Sequence, residues 1–133
     1  MLTRNGMLAS IQTSSKNYKK TDGTTAAFQG QTIRAAAKVG IGSGNTPATI
    51  DDYTLETPIT TLTASQVSVI AVNVIEDGFE FMIVTTYTNN TSEDVTVREV
   101  GWLADAGVLL SREIIDPVTI GPNESKTFTI KVG

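Results

Sequence analysis

The sequence predicts an all-β protein, an antiparallel β-sandwich of the jelly-roll or immunoglobulin-like kind with an extended N-terminal arm. Between residues 67 and 132, five short runs rich in β-branched and aromatic residues are separated by turn sequences. Short strands spaced by roughly ten residues are typical of sandwiches and jelly rolls. The length of 133 residues suits one domain with one core.

Residues 1–32 are predicted to form an arm or an edge segment, and residues 33–133 to form the single sandwich domain. The first 32 residues are rich in Thr, Ser, Asn, Gln and Lys, and their apolar residues are isolated rather than periodic. Such a segment buries too little apolar surface to fold alone. We therefore expect it to become ordered only against a neighbouring molecule.

A first strand is predicted from Ile33 to Val39, where apolar and polar residues alternate, although three consecutive alanines leave a helical turn open. A glycine-rich run follows from Gly40 to Pro47. We interpret it as a tight surface loop whose glycines take positive φ, because no helix follows the glycines as a phosphate-binding loop requires. Residues 48–57 are predicted to be an excursion between strands.

The later strands can be paired through their turns. Asp77-Gly78 suits a two-residue type I′ turn, which would place Val74 opposite Phe81. A second turn at residues 89–94 leads into a strand at 95–103. The final strand, 126–132, alternates apolar and polar residues.

A third turn, centred on Asp105-Ala106, predicts a hairpin that places Glu99 opposite Arg112. Glu99 has the same strand parity as apolar residues, so its burial would require a partner. We therefore predict a structural ion pair between Glu99 and Arg112.

Composition removes most familiar catalytic chemistry. The chain has no His and no Cys, which excludes disulfides, thiolate sites and the commonest general base and metal ligand. We expect no enzymatic activity and no cofactor. The net charge is −4, and only Lys16, Lys19 and Lys20 form a basic group, so we expect no nucleic acid partner. No apolar run is long enough for a membrane span, so we expect no membrane partner.

Two groups of oxygen-bearing side chains are candidate calcium ligands, but neither matches an EF-hand, and solvated turn or capping roles are the favoured interpretation. The groups are Asp51, Asp52 and Glu56 in the excursion, and Asn89, Asn90, Glu93 and Asp94 in the second turn.

Six residues are candidates for contact with a partner, five of them in the glycine-rich run and the excursion that follows it. The six are Gly42, Gly44, Asp52, Tyr53, Leu55 and Trp102. Trp102 has the opposite strand parity from Glu99. It therefore packs in a second layer or marks a contact surface, as aromatic residues often do at interfaces.

Two stretches resemble small bacteriophage structural proteins. Residues 39–59 combine a glycine-rich run with the pattern Asp-x-x-Leu at Asp52 to Leu55. Residues 87–102, 110–113 and 117–125 are similar to the sandwich half of these proteins. The resemblance covers roughly residues 39–132 and supplies no catalytic residues.

The resemblance implies a virion structural component that is synthesised in the host cytoplasm. We expect first a capsid decoration or head-associated protein, which docks on copies of itself and on a neighbouring capsid or connector protein. A tail, baseplate or fibre module is the alternative within the same class. A carbohydrate-binding module is the alternative from another class, and it would need an aromatic-lined groove.

Overall fold

The computed structural model describes residues 1–11, 15–29, 37–75 and 78–132. Within these residues it contains one helix and eight strands: α1 (Arg4–Ile11), β1 (Ser15–Lys19), β2 (Thr25–Gln29), β3 (Ala37–Gly42), β4 (Thr63–Ile75), β5 (Gly78–Thr88), β6 (Val95–Ala104), β7 (Val108–Ile120) and β8 (Ser125–Val132). The predicted all-β, sandwich-like class is confirmed. None of the described helical residues forms a segment long and apolar enough to cross a bilayer.

The strands form three antiparallel sheets. The first sheet has the order β3-β6-β7, the second has the order β4-β5-β8, and β1 and β2 form a separate hairpin. One hydrophobic cluster contains Val39 and Trp102 from the first sheet and Ile83, Phe128 and Ile130 from the second. The two larger sheets therefore share a core, as the two layers of a sandwich do.

The first sheet is covered on its other face by the segment that follows β3. Gly40 and Gly101 are directly paired, and Leu55 lies against both of them. Leu55 is only 5% exposed. Polar side chains on this face are therefore enclosed, and they require partners within the fold.

The outer edge of β3 is closed by other parts of the chain. Val39 donates its N–H to Thr85 Oγ1 (3.0 Å) and accepts a hydrogen bond from the Tyr87 hydroxyl (2.7 Å). Further along the edge, residues 57–59 bond to the backbone of Ile41 and Ser43. These contacts satisfy backbone groups that an open edge would expose.

Residues 1–3 lie along the outer edge of β7. The Thr3 N–H donates to the carbonyl of Leu110 (3.1 Å), and the Arg112 N–H donates to the carbonyl of Met1 (3.0 Å). Leu2 forms a β-bridge with Ser111 between them. The N-terminal half of β7 is therefore covered along its outer edge.

Over its described part, the predicted arm differs from an extended segment because it contains α1 and the β1-β2 hairpin. Ala9 and Tyr18, which lie in a segment without a periodic apolar pattern, are both fully buried. The helix and the hairpin bring both residues against the same core. A search for apolar periodicity within a single helix or strand does not reveal this packing.

The β6-β7 hairpin has a different register from the predicted one. Its loop is three residues long, with Gly107 at a φ of 83°, so that Ala104 pairs with Val108. The register shifts again in β7 between Leu109 and Ser111. Glu99 consequently pairs with Ile114 and not with Arg112.

The predicted β4-β5 register is also wrong. Val74 pairs with Phe79, and Gly78 pairs with Ile75, so Gly78 belongs to β5 and not to the turn. A further register shift lies between Ile70 and Asn73. Asp77 lies outside the described residues, as do residues 33–36 of the predicted first strand.

Candidate functional site

The Glu99 carboxylate is fully buried beneath the segment that follows β3. Its Oε2 accepts hydrogen bonds from the backbone N–H groups of Gly44 (2.7 Å) and Thr57 (2.9 Å). Its Oε1 accepts from the N–H of Glu56 (2.7 Å) and from Arg112 Nε (3.0 Å). Four donors replace the hydration that the carboxylate loses on burial. Glu99 therefore fixes both ends of the segment from Gly44 to Thr57.

Arg112 links Glu99 to Asp52. Its Nη1 donates to Asp52 Oδ2 at 3.0 Å, and the Arg112 side chain is only 3% exposed. Asp52 also accepts hydrogen bonds from the N–H and the hydroxyl of Thr49. We call Glu99, Arg112 and Asp52 the buried charge cluster.

The pKa values of Asp52 and Arg112 favour their charged forms. Burial raises the pKa of Asp52, but the hydrogen bonds from Thr49 and Arg112 outweigh this effect and hold that pKa below its usual value. Burial lowers the pKa of Arg112, while its bonds to Glu99 and Asp52 raise it by more. The cluster therefore keeps its cation and the Asp52 anion at neutral pH.

The structure brings Glu99 and Arg112 together although they are not directly opposite. Arg112 pairs with Gly101, and Glu99 lies two residues before Gly101 in β6, on the same face of the sheet. Diagonal neighbours lie within reach of long side chains. A glutamate and an arginine can therefore meet across this register, as their 3.0 Å contact shows.

Gly42 and Gly44 are buried because they make room for Glu99. A Cβ atom at Gly42 would lie 2.7 Å from the Glu99 side chain, and one at Gly44 would collide with Glu99 Oε2. Neither residue has a positive φ; among the described glycines, only Gly23 and Gly107 do. The interpretation of a surface loop with positive-φ glycines is therefore wrong at these positions, since close approach to a carboxylate explains them.

The candidate interaction residues divide into two groups. Gly42, Gly44, Leu55 and Trp102 are buried within the chain itself. Trp102, at 3% exposed, packs in the core between the sheets, the first of its two alternatives. Only Asp52 and Tyr53 are partly exposed.

Asp52 and Tyr53 line a groove of about 460 Å³ between α1, the β1-β2 hairpin and residues 50–53. Arg4 and Leu8 line it from the helix, and Asn17 and Lys19 line it from β1. None of these four residues is among the six contact candidates predicted from the sequence. The signals in this part of the sequence are the basic group at Lys16, Lys19 and Lys20 and the turn sequence Asp22-Gly23, where Gly23 has a φ of 84°.

Three charged residues of the groove, Arg4, Lys19 and Asp51, are exposed, and Asp52 is partly buried. Arg4 Nε lies 2.5 Å from Asp51 Oδ1, with side chains 67% and 71% exposed. Lys19 Nζ lies 4.0 Å from the centre of the Tyr53 ring, in a cation–π contact. Both acidic residues of the groove have basic partners, whereas Lys19 has no acidic partner within the described part of the chain.

The candidate calcium ligands have other partners. Asp51 bonds to Arg4, Asp52 to Arg112, and Glu56 Oε1 accepts from the Asn45 N–H. In the second turn, the buried Asn89 amide donates to the carbonyls of Glu93 and Ile120, both at 2.8 Å. Where the structure describes the chain, it contains no group of three or more His, Cys, Asp or Glu residues that could hold a metal ion.

Neither protein-family models, nor curated proteins, nor solved structures match this chain at a significant level.

Proposed function

We propose that this protein is a structural binding module that acts by docking on other proteins, and that it serves in a bacteriophage virion. The virion assignment rests on the sequence resemblance alone. It favours a capsid decoration or head-associated protein that contacts its own copies and a capsid or connector protein. A tail, baseplate or fibre module is the alternative place.

The docking function is supported by a group of exposed apolar side chains around the N-terminal segment. Among the described side chains, the large exposed apolar ones are Met1, Met7, Ile50 and Ile114, which are 38–55% exposed. We call these four residues the apolar patch. Met1 bonds to Arg112, two residues from Ile114, and the Arg4 N–H donates to the carbonyl of Ile50 (2.7 Å). Large exposed apolar side chains along one segment and the backbone that it contacts are the residues that a partner protein would cover.

Ion pairs of mixed sign border the apolar patch. The N-terminal amino group lies 3.5 Å from Glu113 Oε1, and Arg4 pairs with Asp51. An apolar centre with a polar rim is typical of protein interfaces. Two-fold association requires a surface that complements itself, and a rim with both charges meets this requirement.

Light scattering on the purified chain tests self-association. We expect an oligomer that Met7→Glu and Ile114→Glu dissociate, because each puts a charge into the apolar patch. Thr127→Glu, on the exposed face of β8, is the matched control and should leave the oligomer intact. A wild-type chain that stays monomeric at high concentration would contradict docking between copies.

Mass spectrometry of purified particles from the culture that expresses the gene tests the virion assignment. We expect the chain to be present in a fixed ratio to the coat protein, and its absence from particles would refute the assignment. A glycan array tests the competing class. Strong binding to one glycan, lost in Tyr53→Ala, would favour a carbohydrate-binding module.

A further inference from the structure

We infer that the outer edge of β8, the side away from β5, pairs antiparallel with the same strand of a second copy of this chain across a two-fold axis. This pairing would join the two β4-β5-β8 sheets into one continuous sheet. The inference rests on the proposed docking function. It adds a second contact surface, and it identifies the partner at that surface as the chain itself.

The two larger sheets have four outer edges, and three of them are closed or irregular. The edge of β3 is closed by side chains of β5 and by residues 57–59. The edge of β7 is covered by residues 1–3 over its N-terminal half, and its other half contains Pro117 and a register shift against β6. β4 has two register shifts against β5. Covering segments, prolines and bulges protect sheet edges from pairing with other chains.

β8 has none of these protective features where the structure describes it. It pairs with β5 in one unbroken register from Ser125 to Val132, and it contains no proline. Among the described residues, none donates to or accepts from the backbone of β8 on the side away from β5. β8 is therefore the regular and open edge of the sandwich.

The turn before β8 shows which way the backbone of β5 faces. Asn89 follows β5 directly, and its N–H donates to the carbonyl of Glu124 (2.9 Å), while its carbonyl accepts from the N–H of Asn123 (2.8 Å). Both backbone groups of Asn89 therefore point toward the β8 side. Alternate residues of an antiparallel strand direct their backbone groups to the same side. Tyr87, two residues earlier, consequently points toward β8 as well.

The pairing of Tyr87 with Lys126 then fixes the orientation of β8. The N–H and C=O groups of Lys126 point toward β5, so those of the alternate residues Thr127 and Thr129 point to the outer edge. Thr127 and Thr129 are both exposed, and their backbone groups have no partner among the described residues. β8 therefore offers unpaired donors and acceptors to another strand.

A two-fold axis between two copies of Phe128 gives a register that satisfies this edge. It places Thr127 opposite Thr129 of the second copy, and Thr129 opposite Thr127. Each outward-facing residue then exchanges N–H and C=O hydrogen bonds with another outward-facing residue. Phe128 is buried in the core, and this register keeps the core faces of both copies on the same side of the joined sheet. The edge therefore complements itself, as a two-fold contact requires.

The same register avoids repulsion between the lysines of β8. Lysine on an edge strand acts against pairing when it meets a like charge. In this register Lys126 lies opposite Ile130 of the second copy, and Lys131 lies opposite Ser125. Lys126 meets Lys131 in a register shifted by one residue, which would also join the core face of one copy to the exposed face of the other. The lysines therefore permit the two-fold register and disfavour the shifted one.

Amide hydrogen exchange at several protein concentrations, followed by NMR, tests the inference. We expect the amides of Thr127 and Thr129 to exchange at least about tenfold more slowly in concentrated than in dilute solution, because only the paired strand protects them. The amides of Phe128 and Ile130, which face β5, should exchange slowly at every concentration. Rapid exchange of Thr127 and Thr129 at the highest concentration would overturn the inference. Slow exchange in the dilute monomer would also overturn it, because the chain itself would then cover the edge.

A proline substitution locates the contact on the backbone of β8. Thr129→Pro removes an outward N–H that makes no bond to β5, so the single chain should keep its fold. Thr129→Ala is the matched control, since it removes the same side chain and keeps the N–H. We expect Thr129→Pro to weaken the β8 contact by about tenfold or more and Thr129→Ala to change it by less than about twofold. Equal effects of the two variants would refute backbone pairing.

Light scattering separates this contact from the apolar patch. Two different two-fold contacts on one chain build an assembly of more than two copies. Met7→Glu should reduce this assembly to a dimer joined through β8, Thr129→Pro should reduce it to a dimer joined through the apolar patch, and the double variant should be a monomer. A monomeric Met7→Glu chain would show that the β8 inference alone is wrong. An assembly that Thr129→Pro weakens and Met7→Glu leaves unchanged would support β8 and contradict the apolar patch.

Discussion

Two carboxylate–guanidinium pairs in this molecule differ more in burial than in distance. Glu99 and Arg112 meet at 3.0 Å with side chains 0% and 3% exposed, whereas Arg4 and Asp51 meet at 2.5 Å with both side chains more than two-thirds exposed. Water screens the exposed pair, and such pairs contribute about 0–1 kcal/mol. Breaking a buried pair leaves an uncompensated charge and costs about 3–5 kcal/mol. Burial, and not contact distance, therefore separates their roles.

The buried pair organises the chain, and the exposed pair borders a surface that a partner can reach. Glu99 bonds to three backbone N–H groups at the two ends of the segment from Gly44 to Thr57. That segment contains residues 50–53, which form one wall of the groove. The buried charge cluster therefore holds the segment that forms one wall of the groove, and only its member Asp52 reaches the surface of the groove.

The largest expected effect comes from removing the buried carboxylate. Glu99→Ala should reduce the free energy of unfolding by about 3–5 kcal/mol, because Arg112 stays buried without the one partner that is fully buried with it. Glu113→Ala is the matched control on β7, where the glutamate is 44% exposed and should contribute no more than about 1 kcal/mol. Urea unfolding of both variants measures the difference. Similar losses of unfolding free energy in Glu99→Ala and Glu113→Ala would contradict the expected difference between a buried and an exposed carboxylate.

A smaller loss is expected when the space for Glu99 is filled. Gly42→Ala should cost about 1–3 kcal/mol, because the added methyl group would overlap the Glu99 side chain. Gly40→Ala is the control on the same strand, where an added Cβ atom would lie 3.4 Å from the nearest side-chain atoms. We expect thermal unfolding to show the larger loss for Gly42→Ala. Equal losses would mean that Glu99 does not determine the need for glycine.

Asp52 connects the buried charge cluster to the groove and should make stability depend on pH. Asp52→Asn should cost about 1–2 kcal/mol at neutral pH, where the wild-type carboxylate is charged and bonded to Arg112. The folded pKa of Asp52 lies below its usual value, so this contribution is fully present above about pH 4 and is lost as the pH falls through the folded pKa.

Unfolding measured from pH 7 to pH 2 checks this prediction. The difference between wild type and Asp52→Asn should narrow below about pH 4. Asp116→Asn serves as the control, because Asp116 is exposed and forms no ion pair with the described residues. The stability of this variant should follow that of the wild type over the whole pH range. A constant difference for Asp52→Asn would show that its charge does not stabilise the fold.

The smallest effect is expected at the exposed pair. Arg4→Ala should change stability by less than about 1 kcal/mol, since both partners are solvated. The matched variant is Arg112→Ala, which removes a buried arginine with the same type of partner and should cost several times more. A large loss of stability in Arg4→Ala would contradict the proposed difference between the exposed pair and the buried pair.

Strand periodicity predicted the sandwich-like class, but turn sequences did not predict the register. Asp105-Ala106 is compatible with a two-residue turn, whereas the chain forms a three-residue loop in which Gly107 takes a positive φ. The shift within β7 depends on packing that no local sequence encodes. The ion pair between Glu99 and Arg112 forms in spite of the three-residue loop and the register shift in β7, because both side chains are long.

The groove was harder to predict than the buried cluster. It brings together residues from α1, β1 and the excursion, which are far apart in the sequence. Arg4 and Asn17 lie in a segment without periodic apolar residues. The dipeptide Asp22-Gly23, where Gly23 takes a φ of 84°, is a local turn signal for the hairpin, but it does not indicate the helix. Asp52 and Tyr53 were predicted as contact candidates in the excursion, but the sequence of the excursion does not indicate which residues lie opposite them.

Amide hydrogen exchange at Gly44, Glu56 and Thr57, followed by NMR, tests most directly whether the buried Glu99 carboxylate holds the excursion in place. In the wild-type protein these three amides should exchange slowly. In Glu99→Gln they should exchange at least about tenfold faster, while the Val39 amide, which bonds to Thr85, keeps its protection. Fast exchange of the three amides in the wild type, or equal rates in both proteins, would contradict the account.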